Sequence, residues 1–285
     1  NDFFKFNNHL FFNLNLIFCL NKQFSDHVLS GRVITIDEKL IPFEGESPNK
    51  IWCPGKNPPW GHWVTEFAIK FPKTGLPYLL SMECKVKEKT FKMIDIFNKG
   101  INLAKQRRPT SILVTDAYYL DDTSRTELQN NKVPYLCAIN PKRFQEVWDI
   151  CQKKVRHIGN WTIMKNLDLK EYAIMHWDEK LGKKYILTNA FSDIPLRAKV
   201  AHNSVWNAYE FYFNTCDRLN HFLGRYYWPY RRNGWQTNYD SFCFAALMHN
   251  IFALYHEHLE IPVNLNNKEF CSKLSIELLN YVNTQ

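Results

Sequence analysis

Between Val33 and Gly45 the chain reads VITIDEKLIPFEG, a β-branched run followed by two carboxylates, Asp37 and Glu38, where apolar residues would pack better. The run predicts a strand whose pairing Pro42 and Gly45 bring to an end. Two more strands are expected near 62–71 and 78–85, separated by the turn residues Lys73, Thr74 and Gly75. Phe91, Ile94, Phe97, Ile101 and Ala104 then recur at helical spacing and mark one face of a helix that stops before Arg107, Arg108 and Pro109. The compact run from Ser111 to Thr115 predicts a strand ending on Asp116, followed by a helix over 124–131 and a strand over 134–139. Upstream, Phe4, Leu10, Phe11, Leu14, Ile17 and Phe18 come close to helical spacing and predict a docking helix within residues 1–25.

Three strands, helix, strand, helix, strand is a mixed α/β layout with one central sheet. After Pro141 the pattern changes. A short amphipathic segment runs through Phe144, Val147, Trp148 and Ile150, then come basic residues at Lys153, Lys154 and Arg156. A hairpin of strands over 171–177 and 184–190 follows, turning at Asp178 and Gly182. This block reads as an insertion. One long aromatic helix is expected over 204–228, a second over 238–259 and a short amphipathic helix over 269–282. On the first of these, Glu210, Asn214, Asp217, His221 and Arg225 share a polar face.

Of the 285 residues 45% are hydrophobic and 15% aromatic, which excludes disorder. The 36 basic residues outnumber the 28 acidic ones, and the resulting +8 favours a polyanionic partner. The eight cysteines are scattered singly with no CxxC and no Cys/His cluster, so they read as reduced core residues and no zinc domain is expected. His256 and His258 flank Glu257, but alternate residues diverge on a helix, so no metal site is expected there. The apolar run from Phe11 to Leu20 is about half of a bilayer span and lacks a basic leader, so neither a membrane nor a secretion signal is implied. The chain opens on Asn1 and not Met, and is expected to be a fragment.

Three carboxylates stand where packing alone would not put them: Asp37 on the first strand, Asp116 at the end of the fourth, and Asp217 on the aromatic helix. Acids converging at a sheet edge can hold two Mg²⁺ ions about 4 Å apart, one activating an attacking oxygen and the other stabilising a leaving oxygen of a phosphodiester. Hard oxygen ligands with open positions suit Mg²⁺ or Mn²⁺. A solvated strand end for the first pair and a solvated helix face for Asp217 remain the plainer alternatives.

The strings TIDEKLIPFEGESP, PPWG, VTDAYY, YAIMHWDEKLGKKYILT and NTCDRLN stand in one order along the chain. Together they resemble the catalytic domain of piggyBac transposases, with Asp37, Asp116 and Asp217 at the positions of its three acids, 79 and 101 residues apart. The resemblance covers roughly residues 5–282. It implies an RNase H-like mixed sheet flanked by helices, with an inserted β-containing subdomain and a helical N-terminal segment. The boundaries expected are a helical segment at 1–31, core at 32–140, insertion at 141–200, core helices at 201–261 and a last helix at 262–285.

The resemblance also implies a nuclear DNA transposase acting as a homodimer with two Mg²⁺ or Mn²⁺ ions on Asp37, Asp116 and Asp217. Water attacks at the transposon end, the freed 3′-OH closes a hairpin, and the ends later join a TTAA target. Trp235 stacks near the transposon end. Double-stranded DNA is expected to meet Arg107, Arg108, Lys142, Arg143, Lys153, Lys154, Arg225, Arg231 and Arg232. The sequence departs from the family pattern at Asn220, where a fourth acid is common, at Glu44 and Glu46, where bases are usual, and at Ala117-Tyr118-Tyr119. The family's cysteine-rich zinc domain and most of its N-terminal region are expected to be missing. A transposase-derived DNA-binding protein without catalysis is the alternative, and a different two-metal nuclease on the same core is a third reading.

Overall fold

The computed structural model describes residues 17, 19–22, 24, 33–85, 92–107, 111–180, 182–191, 199–224, 234–258 and 267–284. Its centre is a nine-stranded sheet. Strand β1 (Val33–Pro42) pairs antiparallel with β3 (Trp60–Lys70), which pairs antiparallel with β4 (Pro77–Cys84) and, at its start, with the two-residue β2 (Ile51–Trp52). On its other side β1 pairs parallel with β5 (Ile112–Thr115), which pairs parallel with β6 (Tyr135–Ala138). The order β4-β3-β1-β5-β6, three antiparallel strands and then two parallel ones, is the RNase H-like arrangement that the resemblance implied.

The block after Pro141 does not form a sheet of its own. Strands β7 (Trp161–Asn166), β8 (Glu171–Asp178) and β9 (Gly182–Thr188) continue the same sheet, because β9 pairs antiparallel with β6. The hairpin was legible, whereas β7 and β2 were not expected. The buried Glu171 on β8 receives the Arg125 guanidinium, with Nε donating to Oε1 at 3.0 Å and Nη2 donating to Oε2, and also the Tyr135 hydroxyl. This polar knot ties the added strands to the helix before β6.

Helix α1 (Met93–Arg107) crosses between β4 and β5 and lies against β1 and β5. Its Gly100 brings the helix close, since a Cβ there would sit 3.0 Å from Ile36 Cδ1 and 3.3 Å from Leu113 Cδ1. Helix α2 (Asp122–Asn130) is capped by Asp121, whose carboxylate accepts from the Ser124 N–H at 2.8 Å. Helix α3 (Gln145–Lys154) precedes β7.

The single aromatic helix expected over 204–228 is two helices, α4 (Lys199–Phe213) and α5 (Thr215–Leu223), broken at Asn214. At the break the Tyr212 carbonyl accepts from the Thr35 hydroxyl at 2.8 Å and from the Thr215 hydroxyl at 2.5 Å. Threonine hydroxyls compete with the helical ladder in this way. Helix α6 (Trp235–His258) and helix α7 (Asn267–Thr284) follow. Glu257 clamps the β3–β4 turn, accepting from the Lys73 and Thr74 N–H groups and the Thr74 hydroxyl.

Part of the N-terminal docking helix is described, and its Ile17 and Phe24 enter the main core. Asn21 exchanges two 2.8 Å hydrogen bonds with the Met82 backbone. One apolar cluster contains residues of α1, α5 and α6. The other joins Val33, Val114, Leu136, Ile174 and Ile186 of the sheet to Val205 and Tyr209 of α4. Among the described residues no helix is long and apolar enough to cross a membrane.

Candidate active site

Strands β1 and β5 run parallel with Ile36 opposite Thr115, so the next residues of each, Asp37 and Asp116, stand side by side. Alternation along each strand puts both on the face that carries Val33 and Val114, under α4. β5 ends at Thr115, which leaves the edge of β1 open at this point, and there the Glu38 carboxylate joins the other two. Ligating oxygens of Asp37, Glu38 and Asp116 lie within 4.8 Å of one another.

Each acid is oriented. Asp37 Oδ1 accepts from the Glu38 N–H at 2.8 Å, and Asp116 Oδ1 from the Tyr118 N–H at 2.8 Å. The Tyr119 hydroxyl donates to Glu38 Oε2 at 3.1 Å, and Lys56 Nζ stands 3.7 Å from Glu38 Oε1. Burial, and after it the neighbouring Glu38 charge, pushes the Asp37 carboxyl up to about 8. Asp116 rises to about 6, again chiefly by burial, with Glu38 adding to it. The same crowding of negative charge, on top of burial, lifts the Tyr119 hydroxyl. Two acids that burial makes costly as free anions, with the Glu38 carboxylate beside them, are a donor set fitted to a hard divalent cation.

Asp217 does not join them. It lies exposed in the first turn of α5, outside the three-carboxylate group. Its charge is felt by Glu66, the residue opposite Asp37 on β3. Glu66 is 0% exposed, and among the described residues no well-formed hydrogen bond reaches either of its oxygens, although the Asn220 side chain lies close enough to act on them. Burial raises its carboxyl to about 7, while the Lys39 charge and Asn220 pull the other way. Sequence reasoning named Glu38 as a costly carboxylate without adding it to the acid set, and missed Glu66 altogether. The signal for Glu66 was an acid inside the apolar run VTEFAI.

Trp235, expected to stack on an unpaired base, is 3% exposed and packs against His62 and Tyr239 at the start of α6. In this structure it is a core residue. Arg143 stands near the acids but is engaged, its guanidinium donating to the Tyr118 carbonyl at 2.6 Å and lying over the Tyr118 ring. Lys142 is exposed beside it, and Lys153 and Lys154 are exposed in the last turn of α3. Arg107 ends α1 with its side chain outside the described residues, as Arg108, Arg225, Arg231 and Arg232 are entirely. An aromatic residue that sequence reasoning did not select stands closer to the acids: Tyr118, 45% exposed and 6.3 Å from the Trp63 ring.

No protein-family model matches the sequence, and no curated protein does. Among solved structures, a piggyBac transposase in a cryo-EM synaptic complex with hairpin DNA superposes with a TM-score of 0.73 at 16% identity. The match covers 87% of this chain and 52% of that one, so the chain spans about half the length of that transposase. Ciona intestinalis endonuclease V bound to DNA aligns over 65% of this chain and 83% of its own at 10% identity, with a TM-score of 0.31 that is too low to bear on the fold. The superposition shows that this chain has a piggyBac-like transposase fold.

Proposed function

We propose that the chain is the catalytic region of a piggyBac-like DNA transposase that cuts and joins strands at transposon ends in the nucleus, with a TTAA target. The observation that carries this reading is the meeting of Asp37 and Asp116, with Glu38, at the open edge of an RNase H-like sheet. Asp37, Glu38 and Asp116 would hold divalent ions, and Asp217 is the further ligand that the resemblance implies. When bound, such ions supply charge stabilisation at a phosphodiester and a water of lowered pKa. The protein's own part is to hold the acids: Tyr119 fixes Glu38, the two backbone N–H groups aim Asp37 and Asp116, and Lys56 beside Glu38 would meet a phosphate backbone. A homodimer gripping double-stranded DNA, as the resemblance implies, is part of this proposal.

The test is Mg²⁺- or Mn²⁺-dependent nicking of DNA carrying candidate transposon ends. Wild type is expected to nick, and Asp37→Ala and Asp116→Ala to lose nicking by about 100-fold or more with the fold retained. A folded wild type that never nicks such ends sinks the reading. The exposed Asp217 and the amide at Asn220 favour a second one, a transposase-derived DNA-binding protein without catalysis. In that case Asp37→Ala leaves DNA affinity and cellular role intact.

A further inference from the structure

A cavity of about 720 Å³ opens where α3 crosses the strands that extend the sheet. In the order β1-β5-β6-β9-β8-β7 the last strand is five positions from the first, on the order of 24 Å from the acids. The cavity is also on the other face, since its Ala173 and Leu187 belong to the apolar cluster of Ile34 and Ile36, whose side chains alternate with that of Asp37. Helix α3 contributes Val147 and Ile150 to the lining, β7 contributes Met164, and the β7–β8 turn contributes Leu167. The buried Glu171 also lines it and is already paired with Arg125, so that charge is spent inside the protein.

Exposed aliphatic side chains are ordinary when they are scattered. Here Leu167 is 76% and Ile150 50% exposed and both line one cavity, while Ile158 and Leu169 stand exposed on the same stretch of chain. The turn that carries Leu167 is fixed, because Asn166 Oδ1 accepts from the Asp168 N–H at 3.1 Å and from the Leu169 N–H at 3.2 Å. Cations accompany these groups. Lys154 and Lys165 line the cavity, and Lys153, Arg156 and Lys170 are exposed on the same segments. Against them stand Glu146, Asp149 and Asp168, of which Asp149 accepts from the Gln145 amide at 2.8 Å. Aliphatic groups set among cations suit a nucleic-acid backbone poorly, since such interfaces are strongly polar. We propose that this groove docks an acidic amphipathic helix of another protein. Aliphatic residues at i, i+4 and i+7 of that helix enter between α3 and the β7–β8 turn, and its Asp and Glu side chains meet the lysines. Docking here is independent of any chemistry at Asp37 and Asp116.

The experiment measures fluorescence polarisation of a labelled, end-blocked helical peptide with leucines on one face and glutamates elsewhere, titrated with the full chain. Wild type is expected to bind it about 10-fold or more tightly than either of two controls, one with serine for leucine and one with lysine for glutamate. Ile150→Asp and Leu167→Asp change exposed positions, and circular dichroism checks that both variants fold. Each is expected to weaken binding by about 10-fold or more, and Lys153→Glu with Lys154→Glu to weaken it as well. Asp37→Ala should bind as wild type does. Equal affinity for the three peptides, or wild-type affinity in folded Ile150→Asp and Leu167→Asp, overturns the assignment. So does loss of binding in Asp37→Ala, which would put the peptide at the acids, or its displacement by a DNA duplex, which would make this a nucleic-acid face. A protein that docks the peptide but never nicks DNA loses only the catalytic reading.

Discussion

At the scale of single residues, Asp37, Glu66 and Asp116 are held in places that disfavour their charge. Glu66 shows it most simply, since it is fully buried and among the described residues no well-formed hydrogen bond reaches its carboxylate oxygens. Its folded carboxyl titrates near 7, above its ordinary 4.5, so folding favours the protonated form. That contribution is complete at pH 4 and is lost as the pH rises through 7. Glu66→Gln is therefore expected to be more stable than wild type at pH 8, by on the order of 3 kcal/mol, and to match it near pH 4. Urea unfolding at the two pH values measures the difference, and a constant gap between them contradicts the argument.

The site was partly legible at this scale. Asp37 and Asp116 stood out because an acid in or at the end of a β-branched strand is costly, and the structure brings them together. Glu38 stood out beside Asp37 but was not grouped with Asp116, because adjacent strand residues face opposite ways unless the strand edge is open, and the opening is made by the end of β5, 77 residues further on. Trp235 failed for the reverse reason: one tryptophan after a glycine looks the same in sequence whether it points at a ligand or at His62.

The elements followed from periodicity where one periodic signal governed them. Strands β1, β3, β4, β5 and β6 and helices α1 and α2 lie close to their expected positions. The break between α4 and α5 was illegible because it is made by Thr35, on a strand remote in sequence. β7 was missed for want of alternation, since both its faces, Trp161, Ile163 and Lys165 on one and Thr162, Met164 and Asn166 on the other, mix apolar and polar residues.

Two tests belong to elements. At Gly61, β3 passes so close to β1 that a Cβ would meet the Ile41 carbonyl oxygen at 2.2 Å. Gly61→Ala is expected to cost about 3 kcal/mol, because backbone cannot yield as a side-chain tip can. Arg125→Met leaves the buried Glu171 without its cation and is expected to cost about 3–5 kcal/mol, releasing β8 and β9 from α2. Amide exchange should then rise in β7, β8 and β9 before β1. Uniform loss of protection across the sheet contradicts the link.

Over the whole molecule, stability is expected to depend on pH and cation together. Asp37 and Asp116 have folded carboxyls raised to about 8 and about 6, so each stabilises the fold fully below pH 4 and ceases to as the pH rises through those values. The metal-free protein should melt at lower temperature at pH 8 than at pH 5. Mg²⁺ should raise the melting temperature at pH 8 and do little at pH 5, where protons hold the same oxygens. Asp37→Asn should flatten both dependences, and an equal Mg²⁺ shift at the two pH values contradicts the site.

The crowding at the end of β1 also fixes what leaves when a cation arrives. At neutral pH the Asp37 oxygens are already occupied, by hydrogen, and loading the centre exchanges one positive species for another. Titrating Mn²⁺ into weakly buffered protein at pH 7 should therefore acidify the solution, and the enthalpy of uptake should change with the ionisation heat of the buffer chosen.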